Sequence, residues 1–161
     1  MNEEKLQFLK QRLVILLRQV PSDTHPQWGK MSLQQMVEHF SDSVRIASGK
    51  TSYTNIVTPE EHLEKMRSFL VSEKPFRENT INPLMPEVPA PVRNRSAEEA
   101  ISELKAELAD FFDVFERNPI KATRNPIFGD LNFEENVQLL YKHALHHLKQ
   151  FGITIEKETQ A

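Results

Sequence analysis

Four segments of this chain carry apolar residues at intervals of three and four, the spacing that puts side chains on one face of an α-helix. These segments span residues 6–20, 33–47, 101–115 and 133–148. A helix with one apolar stripe must bury that stripe against other helices. No segment alternates as a strand does, so the pattern predicts an all-α fold, and four such helices most economically form a bundle.

Start and stop signals frame the four helices. Capping boxes are predicted for Ser32 with Gln35, Ser96 with Glu99, and Asn132 with Glu135. The predicted ends lie at Pro21, Gly49, Pro119 and Gly152. Each boundary agrees with the apolar stripe beside it, so the helices are specified locally.

Two intervals differ from the rest. Thr58-Pro59-Glu60 predicts an inserted shorter helix that runs to about Glu73, with Pro59 at its first helical position. Residues 74–95 then hold five of the ten prolines: Pro75, Pro83, Pro86, Pro89 and Pro91. Proline excludes regular helix or central strand here. This long loop has two interpretations, a roof over a functional site or a plain connector.

The length of 161 residues fits a single domain over 1–161. Twenty basic and 23 acidic side chains give a net charge of −3, and the basic residues are scattered along the chain. This distribution argues against nucleic acid as a partner. The amino-terminal residues are acidic and no apolar run approaches a membrane span, so a cytoplasmic location without a membrane partner is expected.

Three histidines, His143, His146 and His147, fall within five residues near the carboxyl terminus. In a helix His143 and His147 lie one turn apart, about 40° from each other around the axis, so both imidazoles can face one ion. His146 lies on a different strip, and Gln150 lies on the side of His143. Such a pair can supply two ligands to zinc, nickel or similar ions. The alternative is that these histidines are only structural.

A third ligand must come from elsewhere in the chain. His25 precedes the second helix, His62 lies in the first turn of the short helix, and His39 lies on the flank of the second long helix. A flank histidine can meet a histidine pair on a neighbouring helix, although it can equally be a surface or hydrogen-bonded residue. The chain has no cysteine, so any thiol chemistry must use a small-molecule thiol.

Two blocks of sequence carry a resemblance to a known family. Residues 28–39 (WGKMSLQQMVEH), together with 125–131 (NPIFGDL), 141–143 (YKH) and 146–152 (HHLKQFG), resemble the signatures of an uncharacterised branch of the DinB/YfiT-like superfamily. The resemblance implies an up-down-down-up four-helix bundle with a divalent-metal site formed by His39, His143 and His147. Better-understood relatives look like metal-dependent transferases and isomerases that use thiols such as bacillithiol or mycothiol. Related bundles often pair, which implies a homodimer.

Three neutral histidines leave an ion its full charge and an open position, the pattern of a catalytic site. The expected function is metal-dependent transfer of a low-molecular-weight thiol to a small electrophile, or hydrolysis of a small substrate. The alternative is a non-enzymatic metal or small-ligand binding module. Around the ion, Gln150 could bind a ligand or substrate, and Glu38 or Asp42 could act as acid, base or outer-shell groups. All three could instead be solvated polar residues, and Trp28 a packing anchor or a pocket wall.

Overall fold

A computed structural model of the chain describes residues 2–78 and 85–155. Over these ranges the chain forms five helices and one two-stranded antiparallel sheet. Helix α1 joins α-helical Glu3–Gln7, π-helical Phe8–Arg12 and α-helical Leu13–Gln19; the others are α2 Leu33–Ser48, α3 Glu60–Val71, α4 Ala97–Arg117 and α5 Phe133–Gln150. The strands are β1 Thr123–Asn125 and β2 Gly129–Leu131. The predicted mostly helical architecture is confirmed.

The capping boxes of α2 and α5 form as predicted. The Ser32 hydroxyl accepts a hydrogen bond from the Gln35 N–H, and the Gln35 side chain accepts one from the Ser32 N–H. Asn132 and Glu135 repeat this exchange at the start of α5. Helix α2 carries His39 and helix α5 carries His143, His146 and His147, and the caps fix where each helix begins.

The box predicted for α4 forms only in part. The Ser96 hydroxyl accepts from the Glu99 N–H at 3.1 Å, as predicted. The Glu99 carboxylate, however, accepts from the Arg95 N–H at 2.8 Å. The Glu99 carboxylate therefore binds the N–H of the residue before the N-cap and not that of the N-cap residue itself.

Helix α3 begins one residue later than predicted. Pro59 is its N-cap residue, and the helix extends over Glu60–Val71, ending two residues before Glu73. No side chain in the described ranges caps the helix, and the Thr58 hydroxyl donates to the carbonyl of Ile127 at 2.7 Å. A tertiary contact with the segment before α5 therefore takes the place of a local cap.

The prediction that the chain contains no sheet is wrong for residues 123–131. Strands β1 and β2 pair in antiparallel register, with Asn125 opposite Gly129. The Asn125 side chain accepts hydrogen bonds from the N–H groups of Ile127 and Phe128, at 2.9 and 3.1 Å, and so stabilises the turn. Strands of three residues are too short to show an alternating apolar pattern.

One hydrophobic core lies between α1, α2, α4 and α5. Its most buried side chains include Leu9, Leu13, Leu33, Met36, Val37, Val44, Leu104, Phe111, Leu140 and Leu148. A second, smaller cluster joins α3, the hairpin and α5 through Leu70, Phe128, Leu131 and Leu139. Helix α5 contributes to both clusters, so its position is fixed from two sides. No helix in the described ranges is long and apolar enough to cross a membrane.

The buried hydroxyl of Ser41 on α2 has no hydrogen-bond partner among the described residues. An unsatisfied buried polar group costs about 1–3 kcal/mol, and alanine favours helix more than serine does. We expect Ser41→Ala to raise the free energy of unfolding by about 1 kcal/mol, measured by urea denaturation. Ser48→Ala is the matched control and should lower it, since the Ser48 hydroxyl donates to the Arg45 carbonyl. Destabilisation by Ser41→Ala would contradict this assignment.

Candidate metal centre

The structure brings three histidines from two helices together. His39 lies on α2, and His143 and His147 lie one turn apart on α5. The His143 Nε2 atom lies 2.8 Å from the His147 Nε2 and 3.2 Å from the His39 Nε2. The potential ligand atoms of all three lie within 4.8 Å of one another. This group could hold a metal ion.

The spacing of the three nitrogens suits a tetrahedral ion. Four nitrogen ligands about 2.0–2.1 Å from zinc lie roughly 3.3 Å from one another. The two Nε2 separations that involve His143, 2.8 and 3.2 Å, are close to that value, and the ligand atoms of the third pair lie within 4.8 Å. No aspartate, glutamate or cysteine joins the group in the part of the chain that the structure describes. Three nitrogen ligands would leave the fourth position open.

Burial keeps these imidazoles neutral. It lowers the pKa of His39 to about 4, with a further contribution from His146. It also lowers the pKa of His147 to about 3 and that of His143 well below its usual range, and the neighbouring histidines add to both effects. A neutral imidazole keeps one nitrogen lone pair, which is the form that binds a metal. The centre is therefore ready to bind a cation at neutral pH.

Gln150 contacts the group from outside, as the sequence suggested. Its Oε1 atom lies 2.8 Å from the His147 Nδ1, and its Nε2 atom donates to the Trp28 carbonyl at 3.0 Å. A carbonyl oxygen can only accept, so the amide nitrogen must face Trp28 and the amide oxygen must face His147. The His147 Nδ1 therefore carries the proton, and its Nε2 has a free lone pair.

The short contacts at the centre also fit a cation. The His143 Nε2 carries either one proton or one lone pair when the ring is neutral. It therefore cannot donate to the His147 lone pair and accept from His39 at the same time. Three lone pairs directed at one ion would satisfy all three rings together, so the donor set of this structure fits a divalent metal.

The other histidines lie outside the group. The His146 ring lies between the rings of Trp28 and Phe76, at centroid distances of 5.4 and 6.0 Å, and is half-buried. His25 and His62 are exposed. Trp28 is half-buried against His146.

Glu38 and Asp42 point to other partners. The Glu38 carboxylate accepts from the N–H groups of Arg93 and Asn94 at 2.8 and 3.0 Å. Burial raises the Glu38 pKa, but these hydrogen bonds outweigh it and the pKa is lowered. The exposed Asp42 lies 3.0 Å from the Arg93 guanidinium. Both carboxylates therefore hold the end of the proline-rich segment. They lie about 100° and 60° from His39 around α2, so they leave the helix in other directions than the imidazole.

Sequence reasoning missed two residues beside the centre. The Phe76 ring lies 6.2 Å from the His143 ring, which brings one end of the 74–95 segment against the site. The buried Lys142 donates to the carbonyls of Phe69 and Ser72, at 2.6 and 3.2 Å, and burial lowers its pKa to about 8. Residues 79–84 of that segment, including Pro83, lie outside the described ranges. No local pattern marks either residue, because both act through tertiary contacts.

Comparisons with protein-family models, with curated proteins and with solved structures find no match to this chain. The DinB/YfiT-like resemblance therefore stays a prediction. What the structure contributes independently is a group of three neutral histidines on two helices that could hold a metal ion.

Proposed function

We propose that this chain is a metal-dependent enzyme on a DinB/YfiT-like up-down-down-up four-helix bundle, folded as one domain. Its reaction is transfer of a low-molecular-weight thiol to a small electrophile, or hydrolysis of a small substrate. The observation that carries the proposal is the convergence of three neutral imidazoles with no acidic or thiolate ligand among the described residues. The chemistry of these nitrogen ligands suits zinc, nickel or a similar ion.

A divalent ion held by His39, His143 and His147 would lower the pKa of a bound water toward about 7, or hold a small thiol as its thiolate. The chain has no cysteine of its own to serve as nucleophile. Its own residues hold the ligands neutral by burial and keep the His147 Nε2 unprotonated through Gln150. The partly exposed His39 and His143 leave a way in from solvent.

The surroundings of the histidines favour a small substrate with an apolar part. The half-buried Phe76 ring lies 6.2 Å from the His143 ring, whereas Phe40, whose ring lies 5.2 Å from it, is buried in the core. Trp28 extends this aromatic surface past His146. We propose a small molecule as the electrophile, with no nucleic acid involved. A homodimer and a cytoplasmic location stay predictions of the sequence.

A non-enzymatic metal or small-ligand binding module is the second candidate. One observation favours it: Glu38 and Asp42, the carboxylates expected to act as acid or base, bind Arg93 and Asn94 instead. A binding module needs no proton-transfer group beside the ion. Turnover separates the two candidates.

The test uses protein loaded with zinc, nickel or manganese and a panel of small electrophiles, each with bacillithiol, glutathione or water as nucleophile. We expect product formation that a chelator abolishes and added metal restores. His39→Ala is the control, and its rate should fall at least about a hundredfold with the loss of one ligand. Metal-loaded protein without turnover across the panel would favour the binding module. Equal rates in His39→Ala would show that the activity does not come from this site.

A further inference from the structure

A short turn before α2, residues 27–29, contacts Gln150, the last residue of α5, at both its backbone and its side chain. The Gln27 N–H donates to the Gln150 backbone carbonyl at 2.8 Å. The Gln150 side-chain amide donates to the Trp28 carbonyl at 3.0 Å. The turn therefore fixes both the backbone and the amide of Gln150.

Gly29 makes this close approach possible. Its φ of +79° lies in the left-handed region that glycine adopts without strain. A Cβ atom at this position would lie 2.9 Å from the Gln150 Nε2, closer than side chains tolerate. Any larger residue at position 29 would therefore displace the amide that contacts His147.

The orientation of Gln150 decides what the His147 Nε2 can do. A neutral imidazole carries its proton on either nitrogen, and the partner of one nitrogen selects the tautomer. With the Gln150 Oε1 as acceptor, the proton sits on Nδ1. Without that acceptor it can move to Nε2 and donate to the His143 Nε2, which is 2.8 Å away. In that tautomer the His147 Nε2 carries the proton and has no lone pair to offer an ion.

We propose that the 27–29 turn, acting through Gln150, is a positioning element of the metal centre that selects the Nδ1–H tautomer of His147 and keeps its Nε2 free as a ligand. The inference rests on the proposed metal centre. Gln150 and Gly29 are positioning residues, because they act on the ion only through His147. The turn thereby links the segment before α2 to a ligand on α5.

The test measures the His147 tautomer in the full-length, metal-free protein from ¹⁵N imidazole shifts, assigned by the signal missing in His147→Ala. We expect Nδ1–H in the wild type. Gln150→Leu should give Nε2–H. Zinc affinity should fall about 10–100-fold in Gln150→Leu.

Gly29→Ala tests the turn itself, and Gly49→Ala is its matched control. Gly49 also has a left-handed φ, +86°, but an added Cβ there would meet Thr123 and Lys121 instead of Gln150. Both variants should lose stability, and Gly29→Ala alone should lose zinc affinity, by about tenfold or more.

An Nδ1–H tautomer in Gln150→Leu, or equal zinc affinities in Gly29→Ala and Gly49→Ala, would overturn the inference. If Gln150→Leu does not fold, Gly29→Ala takes its place in the tautomer measurement and decides the question. A wild type that binds no zinc would contradict the proposed metal centre instead, and the tautomer in metal-free protein would still test the turn.

Discussion

Replacing His143 by alanine is expected to lower zinc affinity at least a hundredfold. Loss of an outer-shell partner alone costs about 10–100-fold, and His143 is a candidate direct ligand whose Nε2 lies near both other nitrogens. His39→Ala and His147→Ala should show losses of the same order, because each removes one of three ligands. Competition titration with a chromophoric zinc chelator measures all three.

His146→Ala is the control for this series. It removes an imidazole from the same helix, yet the His146 ring lies between Trp28 and Phe76 and outside the group of three. Its zinc affinity should stay within a few-fold of wild type, and all four variants should keep a helical circular dichroism spectrum. Lost affinity in His146→Ala with retained affinity in His143→Ala would overturn the ligand assignment.

The metal-free protein is expected to lose stability steeply between pH 7 and pH 5. Unfolded histidine has a pKa of about 6.5, whereas burial holds His39 near 4 and His147 near 3 in the fold. Below pH 6.5 these histidines therefore bind protons in the unfolded chain and stay neutral in the folded chain. The neutral histidines make their full contribution to the free energy of unfolding above that pH. The contribution falls as the pH drops toward 4, by about 1.4 kcal/mol per pH unit for each such histidine.

Urea denaturation of chelator-treated protein at pH 7, 6 and 5 measures this loss. This pH range lies above the one in which Glu38, Glu103 and Asp130, whose pKa values are lowered in the fold, change the free energy of unfolding. Because a bound metal stabilises only the folded state, saturating zinc should raise the stability at pH 7. His147→Ala should make the metal-free slope shallower. A flat profile would show that the histidines are not held neutral by burial.

The helices and the histidine pair were predictable because their signals are local. Apolar spacing and caps such as Ser32 with Gln35 depend on residues within one or two turns, and they formed on α2 and α5 as predicted. The common direction of His143 and His147 follows from the geometry of a single helix. His39 was placed on the flank of α2 by the same geometry, and packing of α2 near α5 then brought it to the pair.

Other features depend on contacts that no local pattern encodes. The 123–131 hairpin rests on strands of three residues and on the side chain of Asn125. Glu38 looked available for chemistry on its helix, but the distant N–H groups of residues 93 and 94 bind its carboxylate. Lys142 is buried against the end of α3, where its ammonium donates to the Phe69 carbonyl. Tertiary packing decided each case.

Metal content tests the central claim most directly. Protein purified without a polyhistidine tag or a nickel column, reconstituted with zinc, nickel or manganese and then desalted, is measured by elemental analysis. The three converging imidazoles predict close to one divalent ion per chain, and less than a tenth of that in His143→Ala measured alongside. Metal content near zero in the wild type, or the same content in both proteins, would contradict a metal centre at His39, His143 and His147.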